Sequence, residues 1–174
     1  MKLIEKEVAK LLIERKWTLA TAESCSGGLL SHRLTNIPGS SAYFLCGYIV
    51  YSNQSKIELL GVSPKTIESY GAVSAQTALE MAKGARQRTK ATLAISVTGI
   101  AGPGGATLTK PVGLVYLGLS SPEEALFQQF NFTGNRLAIK LQTTQSSLKF
   151  LKEYLLDIET TTSSSGSSNK VYLS

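Results

Sequence analysis

An apolar run containing Trp17, Leu19 and Ala20 stops at Thr21-Ala-Glu-Ser-Cys-Ser-Gly-Gly28, and Leu29, Leu30 and Leu34 then follow at helical spacing. This reads as a strand turning sharply into a helix, with a serine at the bend. The first N–H groups of a helix lack intrahelical partners and carry the positive end of its dipole, so such a bend can hold an anion or a developing oxyanion. Ser24 stands where a nucleophile profits from those groups. Gly27 and Gly28 weaken a helix start, yet without a Cβ they let a ligand approach the backbone closely. The same Ser-x-Ser-Gly-Gly pattern also reads as a plain helix cap, and these residues alone leave both readings open.

The remaining pattern alternates helices with strands. Leu3, Ile4, Val8, Leu11 and Leu12 predict a first helix ending at Arg15-Lys16, Trp17 to Thr21 a short strand, and Ser26 to Asn36 a helix stopped by Pro38-Gly39. Phe44 to Tyr51 is nearly continuously apolar and predicts a strand covered on both faces, in the middle of a sheet. Ser52-Asn53 caps a short helix to Leu60, Ser63-Pro64 opens another that Gly71 ends, and Ser74 caps a longer one through Lys90. On the last, Ala75, Ala78, Leu79, Ala82 and Ala85 form a small-residue face suited to a sheet or a partner helix, which leaves a homo-oligomer open.

Thr92 to Thr98 predicts a further strand, running into the glycine-rich segment Gly99 to Gly113, a connection long enough to be functional. Val112 to Ser120 and Ala125 to Thr133 predict an antiparallel hairpin, and Leu137, Leu141, Leu148, Leu151 and Leu155 a final amphipathic helix. The fold expected is a three-layer α/β/α domain over residues 1–158 with a mixed, mostly parallel sheet. Residues 159–174 are polar and of low complexity, and read as a disordered tail.

With 174 residues and a 43% hydrophobic share, the chain suits one domain with a real core. A formal charge of +6 favours anionic partners, either a small phosphorylated metabolite or nucleic acid. Glu5, Lys6, Lys10 and Glu14 interrupt the amino-terminal apolar stretches, so neither a secretory leader nor a membrane span is expected, and the expected location is cytoplasmic. Cys25 and Cys46 have neither a CxxC partner nor ligand spacing, so no disulfide framework and no metal site is predicted.

A serine needs a base before it becomes a useful nucleophile. His32 is the sole histidine, but on the helix leaving the turn it lies roughly 10 Å along the axis from the bend, too far to pair with Ser24 or Cys25. Glu23 should point to the opposite side of the strand. Lys56 is the better candidate: with Asn53 as cap it is the third helical residue, where the positive helix pole disfavours the ammonium form. Its helix follows a strand that can lie beside the one feeding Ser24, and like ends of parallel strands converge on one crevice. Read by its sequence position alone, Lys56 is more simply a solvated surface lysine. The glycine-rich segment fits neither GxxxxGK[ST] nor GxGxxG, though it can form an anion nest. Arg136, opening the final helix, could clamp a phosphate. Lys83, Arg86, Arg88 and Lys90 read most simply as a solvated face.

Thr21 to Gly28, Gly39-Ser-Ser-Ala42, Tyr51-Ser-Asn53 with Lys56, Gly71-Ala-Val-Ser74, Gly99-Ile-Ala-Gly-Pro103, Lys110-Pro-Val-Gly113 and Gly134-Asn-Arg136 together resemble the CinA carboxy-terminal domain family, over roughly Leu3 to Leu156. That family includes amidohydrolases that convert nicotinamide mononucleotide and water to nicotinate mononucleotide and ammonia. The resemblance implies Ser24 as nucleophile and Lys56 as base. It implies a substrate-binding set of Cys25, Ser26, Gly27, Tyr51, Thr98, Gly99 and Arg136, the last toward the phosphate. A nucleotide substrate is implied, without cofactor or metal, and nucleic acid is not favoured; the competing reading is a non-catalytic nucleotide-binding or nucleic-acid-associated module. The chain departs from the family pattern in three places: Ser26 in place of threonine, Asn135 in place of aspartate, and an irregular loop after Gly104.

Overall fold

The computed structural model describes residues 3–163. In chain order it contains α1 (Ile4–Arg15), β1 (Leu19–Glu23), α2 (Leu29–Thr35), β2 (Phe44–Ile49), α3 (Asn53–Leu60), α4 (Pro64–Tyr70), α5 (Ala75–Thr89), β3 (Leu93–Gly99), β4 (Leu114–Ser120), β5 (Ala125–Asn131) and α6 (Arg136–Ser163). The five strands form one mixed sheet in the order β2-β1-β3-β4-β5. β1 runs parallel to both β2 and β3, and β3, β4 and β5 form an antiparallel meander. α3, α4 and α5 cover one face and α1, α2 and α6 the other, which is the expected three-layer α/β fold.

The period-two alternation of the central strands divides the interior into two cores of different character. Leu19, Leu93, Ile95 and Val97 point into a large aliphatic core with α1, α2 and α6, each fully buried side chain contributing about 2 kcal/mol. Ala20, Ala22 and Ala94 point the other way, against Met81 and Ala85 of α5. Small residues on that face let α5 lie close to the sheet. A Cβ on Gly118 would stand 2.4 Å from the Ala78 carbonyl oxygen, and one on Gly84 would stand 1.9 Å from that of Leu60, so α5 also touches the end of α3 directly. The small-residue face predicted for α5 therefore packs on the sheet, centred on Ala78, Met81, Ala82 and Ala85, and is not open to a second copy.

Three expectations are corrected. Phe44–Ile49 is an edge strand, with Leu45 and Ile49 about half exposed at 48% and 57%. Its continuous apolar pattern arises because one side packs on α5 while the other extends past the short α2, a difference that composition does not encode. The first strand lies two residues further on, at Leu19–Glu23, and α2 starts only at Leu29, because Gly27 and Gly28 take φ of +62° and +93° and make the turn. α6 continues to Ser163, past the expected boundary at Ile158; residues 164–174 of the predicted tail lie outside the described residues. Among the described residues no helix is long and apolar enough to cross a membrane.

Candidate active site

Parallel pairing of β1 and β2 brings their carboxyl ends together, with Ile49 opposite Glu23. The chain leaving β1 carries Ser24, and the chain leaving β2 enters α3, where the Ser52 hydroxyl accepts from the Ser55 N–H and caps the helix. Ser52 rather than Asn53 is thus the cap, and Lys56 is the fourth helical residue. Its Nζ reaches 3.1 Å from Ser24 Oγ, 2.9 Å from the Val50 carbonyl oxygen and 3.3 Å from that of Tyr51. Lys56 is 1% exposed and Ser24 8% exposed. Burial holds the Lys56 amine below its ordinary value, outweighing an opposing influence of Cys25. A neutral lysine has two N–H donors and one lone pair. As an ammonium Nζ donates to Ser24 Oγ and to the two carbonyls; in a neutral amine whose N–H donors stay on the carbonyls, the lone pair would face the serine hydroxyl.

Cys25 lies beside Ser24 and Lys56 but is differently tuned. It is buried, and loss of solvation pushes its thiol up to about 12, with Glu23 adding to the effect and Lys56 and Arg136 opposing it. Such a thiol holds almost no thiolate at neutral pH. His32 is exposed, with Nε2 3.2 Å from Asn36 Nδ2 on its own helix.

Ser24, Cys25, Tyr51, Lys56, Thr98, Gly99 and Arg136 line one cleft of about 250 Å³, joined by Asn53, the Ala72-Val73 pair and the glycines that follow β3. Ser26 and Gly27 do not line it. The Ser26 hydroxyl turns away and donates to Glu23 Oε2 at 2.7 Å, while the Gly27 N–H closes a tight turn onto the Ser24 carbonyl at 3.1 Å. Thr98 lines the wall, yet its hydroxyl donates to the Ala72 carbonyl at 2.7 Å and so fixes the loop before α5. Gly99 is required by packing, since a Cβ there would meet Val115 Cγ2 at 2.6 Å. Arg136 spans the mouth: Nη1 donates to the Gly102 carbonyl at 2.7 Å and Nη2 to the Tyr51 hydroxyl at 2.6 Å. Asn135 does the capping expected of an aspartate, accepting the Ala138 N–H at 2.9 Å, so the departure at this position leaves Arg136 at the start of α6.

Two supporting residues escaped the sequence reading. Lys110 donates to the Tyr70 and Val73 carbonyls and ties the glycine-rich segment to the loop before α5; the Lys110-Pro-Val-Gly motif was the signal. Glu23 does point away from Ser24, but its carboxylate accepts the N–H groups of Gly28, Leu30 and Ser31. The N–H groups of Gly28, Leu30 and Ser31 at the start of α2 are therefore occupied by the protein's own side chain.

Residues 1–155 match the CinA C-terminal domain family. The chain belongs to that family. Among curated relatives, competence-damage inducible proteins of Caldicellulosiruptor bescii and Halothermothrix orenii are 48% and 54% identical over 155 and 150 residues. These matches cover 89% and 86% of this chain but only 38% and 36% of the relatives' own lengths. Among solved structures, the competence/damage inducible protein of Agrobacterium tumefaciens is 41% identical with a TM-score of 0.82, the match covering 90% of this chain and 99% of that one. A CinA superfamily protein of Klebsiella pneumoniae is 32% identical with a TM-score of 0.86, over 88% and 96% of the two chains.

Proposed function

We propose that this CinA domain is a serine amidohydrolase that converts nicotinamide mononucleotide and water to nicotinate mononucleotide and ammonia. The observation that carries the reading is the buried Lys56 amine 3.1 Å from the Ser24 hydroxyl, held below its ordinary proton affinity by burial. A lysine in that state serves as a general base at pH values where a surface lysine does not.

In the first step Lys56 takes the Ser24 proton while Oγ attacks the carboxamide carbon, and N–H groups of the turn that follows Ser24 would hold the oxyanion that develops. The Lys56 ammonium returns its proton to the amide nitrogen, the C–N bond breaks and ammonia leaves an acyl-serine. Water, deprotonated by Lys56, then attacks the acyl carbon, and as the C–O bond to Ser24 breaks the Lys56 ammonium returns its proton to Oγ, freeing Ser24 and the carboxylic acid product, which ionises in water. The choice of a nucleotide rests on the family resemblance, on the size of the cleft and on Arg136 at its mouth.

Ammonia release from nicotinamide mononucleotide, with chromatography of the product, tests the reading. Turnover is expected from the unaltered chain and its loss from Ser24→Ala and Lys56→Ala. Saturable binding of the nucleotide without ammonia would overturn the amidase reading in favour of a binding module.

A further inference from the structure

The carboxylate of Glu23, 0% exposed, is surrounded by five donors. Oε2 accepts from the Ser26 hydroxyl at 2.7 Å and from the Gly28 and Leu30 N–H groups at 3.0 Å each. Oε1 accepts from the Ser31 N–H at 2.8 Å and the Ser31 hydroxyl at 2.5 Å. These donors lie on both sides of the Gly27-Gly28 bend, so one side chain fixes the path of the chain from Ser24 to the first turn of α2. Its backbone is fixed as well, the Glu23 carbonyl accepting the Val50 N–H and the Ser24 N–H donating to the Val97 carbonyl, both at 2.9 Å. Ser24 therefore leaves a clamped strand end and enters a turn whose far side is held by its own neighbour.

We propose that Glu23 is a positioning residue for the reaction: by holding Ser26, Gly28, Leu30 and Ser31 it sets the direction of Ser24 Oγ and of the Cys25 and Ser26 N–H groups. The inference rests on the Ser24 nucleophile of the proposed function and adds a residue that touches no substrate. Each oxygen accepts a backbone N–H that cannot turn away. An amide at this position must aim its NH₂ at one of those donors whichever way it is flipped, and an aspartate is too short to reach both sides.

The test uses the full chain and a reagent that needs no amide substrate, diisopropyl fluorophosphate. Ser24 Oγ attacks phosphorus, fluoride leaves, the hydroxyl proton passes to Lys56, and intact mass reports both the rate constant and the modified fraction. The unaltered chain is expected to be modified at Ser24. Glu23→Gln should react completely but about a hundredfold more slowly, the scale of loss expected from a displaced nucleophile. A purely structural role would lower the modified fraction through misfolding and leave the rate constant of the folded molecules unchanged; that result overturns the proposal. If Glu23→Gln does not fold, the Ser26→Ala/Ser31→Ala double variant, which removes two donors and keeps the carboxylate, decides: a rate constant lowered severalfold supports positioning, and one equal to the unaltered chain overturns it. No modification of Ser24 in the unaltered chain would overturn the serine-nucleophile reading and this proposal with it, whereas equal rates in Glu23→Gln would overturn this proposal alone.

Discussion

Arg136 Nη2 donates to the Tyr51 hydroxyl at 2.6 Å, joining the first residue of α6 to the segment that follows β2 across the mouth of the cleft. The guanidinium is thereby oriented by a phenol and a carbonyl while keeping further N–H donors for an anion. Arg136→Ala is expected to raise KM for nicotinamide mononucleotide about tenfold, ~1.4 kcal/mol, and to leave the poorer constants for nicotinamide riboside unchanged. Tyr51→Phe should produce a smaller rise. Ammonia release with both substrates checks this, and equal losses on the two would remove the phosphate from the argument.

In the proposed reaction Lys56 sets the pH dependence. Its folded-state proton affinity is lowered by burial, so kcat/KM should rise with pH through a midpoint below the free-lysine value of about 10.4 and then level off. The sign for stability follows from the same shift. Between the lowered folded value and the unfolded one the unfolded chain binds more protons, so this group's contribution to stability rises with pH there. Comparing thermal melts of the unaltered chain and Lys56→Met across that window should show the slope only in the former.

Ser24 and Cys25 are adjacent, and only one can be the nucleophile. With its thiol pushed up to about 12, Cys25 should resist iodoacetamide at pH 8, and Cys25→Ala should keep most of the rate at a stability cost of about 1 kcal/mol. Ser24→Ala should lose nearly all turnover. An inactive Cys25→Ala with an active Ser24→Ala would reverse the assignment.

Far from the cleft, Arg33 Nε donates to Glu5 Oε1, and the same guanidinium reaches Gln145 Oε1 of α6 at 2.8 Å, linking α1, α2 and α6. Burial alone would raise the Glu5 carboxyl, but the hydrogen bond and charge of Arg33 hold it below its ordinary value of 4.5. A lowered carboxyl contributes stability that is present above the unfolded value and is lost as pH falls through the folded one. Glu5→Gln should cost about 2 kcal/mol at neutral pH and flatten the acid limb of the stability curve, as read by urea melts between pH 3 and 7.

The Ser24 bend, the Lys56 helix and the parallel neighbours that unite them were legible because each depends on local signals: a serine-glycine turn, a helix cap after a strand, and chain ends on a common edge. The edge position of β2 was not legible, since an apolar strand reads alike whether its second face meets a helix or projects beyond one. Nor was the cap, because Ser52 and Asn53 are both good cap residues and the backbone decides between them. Ser26 and Thr98 lay in the right segments, but their hydroxyls serve Glu23 and Ala72, and side-chain direction at a turn depends on partners distant in sequence.

The pair proposed to move the proton comes from the first third of the chain, Ser24 leaving β1 and Lys56 in α3, whereas much of the opposite wall comes from the loop after β3 and the first residue of α6. On the proposed reading, chemistry and selectivity are therefore written in separate parts of the chain. Substitutions in the second part would then change which amide the cleft accepts without disturbing Ser24 and Lys56, leaving the scaffold open to retargeting by exchange of one loop and one helix start.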